Sequence, residues 1–145
     1  MKSKLINNEK WKTFAVILQS GDEAVSALTN FARENHLKAA HFTAIGAFKS
    51  STIAFFDWQT KKYQNINIDE QVEVLSMIGD IALHEGSPKL HVHVVLGKSD
   101  GTAHGGHLVK AIVRPTLEII INESPDFLQR KFDAESGLAL INPDF

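Results

Sequence analysis

The sequence predicts an α+β domain: a mostly antiparallel β-sheet with one clear helix packed on it. Three observations carry this. Alternating or near-continuous apolar runs recur along most of the 145 residues, a single segment has its apolar residues at helical spacing, and Gly, Asp and Ser punctuate the runs at short intervals. In chain order, WKTFAVIL (11–18) alternates and then turns apolar, which suits a strand, and Ser20-Gly21-Asp22 ends it. Asp22 is the expected N-cap of a helix over about 22–35, with Glu23 in its first turn and Ala24, Val25, Leu28, Phe31 and Ala32 on one face. AAHFTAIGAFKS (39–50) and STIAFFDW (51–58) read as two strands, and 57–62 is a polar turn before a short strand, Tyr63 to Ile68. QVEVLSMIGDIAL (71–83) predicts a long strand with a bulge at Gly79, and HEGSPK (84–89) a loop. A histidine-rich strand, LEIII (117–121), a short turn or helix in DFLQRKFD (126–133) and a last strand in GLALI (137–141) complete the order. No linker or internal repeat divides the chain, so residues 1–145 form a single domain with a core over about 11–142.

Composition narrows the function classes. Hydrophobic residues at 43% and charged residues at 22% are ordinary for a soluble globular domain. A formal charge of −2 with mixed signs supplies no basic field for non-specific nucleic-acid binding. The chain has no cysteine, so a transition metal would have to be held by imidazole and carboxylate. MKSKLINNEKWK has lysines but no apolar segment behind them, and no apolar run approaches membrane-spanning length, so a cytoplasmic protein with no membrane contact is expected.

The chemistry concentrates in LHVHVVLGKSDGTAHGGHL, residues 90–108. His91 and His93 are two apart on a predicted strand, so both rings project from one face of the sheet. Asp100-Gly101 is a turn signal that folds the chain back and brings His104 and His107 towards them. A two-residue turn there would pair Val94 with His107 and place His107 on the wrong face. One extra residue at Gly105-Gly106 would correct that by setting His107 opposite Val95, diagonal to His93. On this reading Gly101, Gly105 and Gly106 shape the turn and aim His107. His91, His93 and His107 form a three-imidazole site for zinc or another imidazole-binding divalent ion, and the fourth position falls to water, a ligand, His84 or His104.

Elsewhere the signals are structural. His36 ends the predicted helix, where histidine suits the carbonyl dipole, and His41 lies in a strand. Glu118, acidic within an apolar strand, is expected to face solvent, to accept from a ligating imidazole, or to pair with Arg114. Arg130 and Asp133 read as a short-range ion pair pinning the tail. No Gly-rich phosphate loop, GxSxG elbow or nucleophile-base constellation is visible.

GDEAVSALTNFAREN, TAIGAF, EVLSMIGDIAL, LHVHVVLGKSDGTAHGGHL, LEIII and a final R-x-x-D with GLALI occur in the order of the plants-and-prokaryotes-conserved (PPC) domain family, which the chain resembles over nearly its whole length. The resemblance implies an α+β homotrimer, with His91, His93 and His107 at the positions that bind zinc in some prokaryotic members. Plant members carry the domain behind AT-hook segments in nuclear DNA-binding proteins, and stand-alone members are commonly labelled as candidate DNA-binding proteins. An AT-hook needs an Arg-Gly-Arg-Pro core, and this chain offers only Val113-Arg114-Pro115. Three functions follow as alternatives: a homotrimeric metal-binding protein with a ligand or regulatory role, a DNA-binding protein, or a metal-dependent hydrolase or lyase using Glu118 or Glu85 as base. The first is favoured, with no catalytic activity assigned.

Overall fold

The structure, a computed structural model, describes residues 1–7 and 11–144. Among these, the chain order is β1 (Lys2–Asn7), β2 (Thr13–Gln19), α1 (Ala24–Glu34), β3 (Ala39–Asp57), β4 (Lys62–Ile68), β5 (Val72–His84), β6 (Ser87–Gly97), β7 (Ala103–Glu123), β8 (Gln129–Asp133) and β9 (Leu138–Asn142). The sheet curls back on itself: β3 pairs with β5, β5 with β6, β6 with β7, and β7 with β3. These pairings are antiparallel, as the sequence predicts, and the tail joins through a single parallel bridge, Leu83 to Gln129.

The inner face of the curled sheet and one face of α1 make the core. Leu28 and Phe31 of the helix are buried with Leu18, Phe42, Phe48, Val92, Val94, Leu117 and Ile119, each fully buried side chain contributing about 1.5–3 kcal/mol. Glu23 rather than Asp22 caps the helix, its carboxylate accepting from Val25 N and Ser26 N. The same carboxylate accepts from Ala111 N at 3.1 Å and so ties the helix start to β7. Asp22 is drawn off to Gln19 N and the chain's terminal amine. At the other end Leu37 N donates to Ala32 O and His36 N to Arg33 O, a Schellman closure with His36 in the left-handed region at φ 54°. His36 thus contributes its backbone N–H to the closure of the helix.

Several expected boundaries move. The two strands 39–50 and 51–58 are one continuous β3, because Lys49-Ser50-Ser51-Thr52 lacks a turn residue and the register slips by bulges instead. The bulge predicted at Gly79 lies at Leu75-Ser76, while Gly79 pairs regularly with Phe42 and Val92. Gly79 is small for another reason: a Cβ there would stand 2.4 Å from Phe42 Cζ and 2.7 Å from His91 O. The 84–89 loop shrinks to a two-residue turn at Glu85-Gly86, both with positive φ, joining β5 directly to β6. Residues 129–133 are the strand β8, not a turn or helix, and β1, whose polar sequence gives no strand signal, pairs with β2.

Candidate metal centre

His91 and His93 alternate with the buried Val92 and Val94 on β6, so both point away from the core. The chain returns through a three-residue loop, Ser99-Asp100-Gly101. Gly101 takes φ +82°, its N–H donates to Lys98 O, and Lys98 N donates to Thr102 O at 2.9 Å. The extra residue that moves His107 onto the histidine face thus sits in the turn, not at Gly105-Gly106 as expected. The ladder beyond is regular: Leu96 opposes His104, Val95 Gly105, Val94 Gly106, and His93 His107 directly. The two glycines serve close approach, since a Cβ on Gly106 would lie 2.8 Å from Ala54 O of β3.

This register decides which histidines meet. Ring centroids are 5.0 Å apart for His91 and His93, 5.4 Å for His91 and His107, and 5.7 Å for His93 and His107. One nitrogen from each ring lies within 4.8 Å of the others, a grouping that can hold a metal ion. His104 shares the face of Leu96 and points away from this group. His84 lies on the histidine face but two side-chain steps beyond Asp80 on β5, about 13 Å along the strand. Glu118 is exposed opposite Ile17 and Ile45, and Glu85 is in the β5–β6 turn; neither is in the three-histidine group. Arg114 reaches Gln71 rather than Glu118.

Burial, then the charges of His91, His93 and Lys89, push His107 down from 6.5 to about 4. Burial and His91 likewise lower His93. These imidazoles are neutral at pH 7, as metal ligation requires, and His107 Nδ1 is buried with no hydrogen-bond partner. Because the folded His107 binds its proton more weakly than an unfolded one, the metal-free protein should lose stability as pH falls from about 6.5 towards 4. Denaturant midpoints across that range check this, and His107→Ala should flatten the slope.

Sequence reasoning missed three neighbours. The Tyr63 ring of β4 lies 4.9 Å from that of His107. Asp80, directly opposite His91 on β5, places Oδ2 3.7 Å from His91 Nδ1. Arg130 does not pair with Asp133; its Nη2 contacts Asp80 Oδ1, and Asp133 instead accepts from Ser136 N. Burial opposes charge on Asp80, but the His91 hydrogen-bonding contribution and the Arg130 charge outweigh it and hold the carboxyl below its usual range. The sequence signal for Asp80 is a carboxylate within the apolar run SMIGDIAL, the same kind of signal as Glu118 within LEIII.

The sequence profile of the Plants and Prokaryotes Conserved (PCC) domain matches residues 6–125. The chain belongs to this family. A plant- and prokaryote-conserved protein from Pyrococcus horikoshii is similar at 30% identity, with 97% of this chain and 94% of that one covered and a TM-score of 0.85. A metal-containing protein from Archaeoglobus fulgidus is similar at 33% identity over 98% and 99%, with a TM-score of 0.84. A candidate DNA-binding protein from Bacteroides thetaiotaomicron is similar at 26% identity over 97% and 96%, with a TM-score of 0.87. No curated protein matches the chain. Among the described residues of this PCC-domain protein, no helix is long and apolar enough to cross a membrane.

Proposed function

We propose that this PCC-domain protein is a cytoplasmic homotrimer in which each chain holds one zinc-like divalent ion through His91, His93 and His107 and presents it to a small ligand or regulatory partner. The observation that carries the reading is the convergence of three imidazoles, one with a buried and unsatisfied Nδ1. An all-histidine donor set suits zinc, which when bound supplies Lewis acidity and an open coordination position. The metal-containing relative at 33% identity supports it. The residues considered as a base for hydrolysis, Glu118 and Glu85, are not in the histidine group, and Asp80 is engaged by Arg130. Metal content of purified protein beside a His91→Ala, His93→Ala variant tests the site: about one equivalent per chain is expected for the parent and none for the variant, and equal content in both refutes it.

The trimer rests on the outward sheet face. Ile45 is 61% exposed, and Leu75 and Ile78 are each 56% exposed, although all three sit on central strands. An apolar patch of this kind marks an association surface, and a symmetric assembly would cover it beside the histidines, since Ile78 opposes His93. Sedimentation should give about 48 kDa, three times the 16.1 kDa chain. Ile78→Asp should shift it to the monomer, and a wild-type monomer would exclude the assembly. With a formal charge of −2 and an apolar outward face, the protein should show no salt-sensitive affinity for duplex DNA even at low salt.

A further inference from the structure

The C-terminal hairpin, β8 and β9, follows the segment matched by the family profile, yet it reaches the histidines. Leu138, Ala139 and Leu140 line one recess with Tyr63, His91 and His107. From this hairpin Arg130 enters the molecule, 8% exposed, donating Nη1 to Ala139 O at 3.2 Å and Nη2 to Asp80. A guanidinium held at both ends of its fork is a rigid group, and it fixes the carboxylate it grips. Asp80 Oδ1 is spent on Arg130, which leaves Oδ2 facing His91 Nδ1 at 3.7 Å.

We propose that Arg130 and Asp80 are positioning residues for the metal centre: Asp80, held by the tail hairpin through Arg130, takes the proton-bearing Nδ1 of His91 and so presents Nε2 to the ion. Carboxylate partners of this kind fix the tautomer and the ring orientation of a ligating imidazole and raise its basicity. The proposal rests on the three-histidine reading but assigns the control of one ligand to a part of the chain remote in sequence. Arg130 and His91 are 39 positions apart in sequence and are bridged by Asp80.

The test has two readouts. In metal-free wild type, long-range proton–nitrogen NMR of the imidazoles at pH 8 should show His91 as the Nδ1–H tautomer, and Asp80→Asn should redistribute it. Zinc titration against a competing chelator should show affinity about 10- to 100-fold weaker in both Asp80→Asn and Arg130→Lys, with one ion per chain retained and circular dichroism unchanged. A His91 proton on Nε2 in the wild type, or unaltered affinity in both variants, overturns the proposal. Zinc that fails to bind the wild type refutes the metal site itself, while the tautomer still decides whether Asp80 orients His91.

Discussion

His93→Ala should lower zinc affinity by more than about a hundredfold while leaving the protein folded. Structural zinc sites with four protein ligands bind at about 10–16 kcal/mol, or about 3 kcal/mol for each ligand, and the loss of one ligand on that scale exceeds two decades in affinity. His93 is exposed on the outward face of β6, so its truncation opens no core cavity. His107→Ala should weaken binding as severely. His104→Ala should change nothing, because His104 points to the opposite face of the sheet. Competition titrations on the four proteins check the ranking, and a loss in His104→Ala equal to that in His93→Ala would mean that the register of the β6–β7 hairpin is wrong.

Gly46→Ala should be the most damaging small change in the sheet. Gly46 has φ +150° where β3 crosses β7, and a Cβ there would lie 2.3 Å from Thr116 O and 2.9 Å from Leu117 Cα. Both obstacles are backbone, so no side chain can swing aside. Positive-φ strain and the clash together should cost about 3 kcal/mol or more, seen as a lower urea midpoint at unchanged slope. A midpoint equal to that of the wild type would contradict the crossing geometry.

The strands and the helix were legible because their signals are periodic. Leu28, Phe31 and Ala32 recur at helical spacing, and the β6 residues alternate between Val92, Val94 and the histidines. Local chemistry also pointed to the β6–β7 turn, but not to its length. A two-residue and a three-residue loop draw on the same Asp-Gly signal and only the pairing distinguishes them, so the sequence points to an extra residue at Gly105-Gly106 while the fold puts it in the turn. The cap at Glu23 was hidden because its acceptors serve two backbones at once, that of the helix and that of β7. Asp80 and Arg130 escaped for a related reason. Their contact joins residues 50 positions apart, and Asp133, three residues from Arg130, offered a nearer partner that the fold does not use.

Anomalous diffraction from crystals of zinc-loaded protein, recorded on both sides of the zinc absorption edge, tests the central claim most directly. The account predicts one peak per chain, about 2.0–2.1 Å from a nitrogen of each of His91, His93 and His107. A peak at any other set of side chains, or none at this site with zinc in excess, would contradict it.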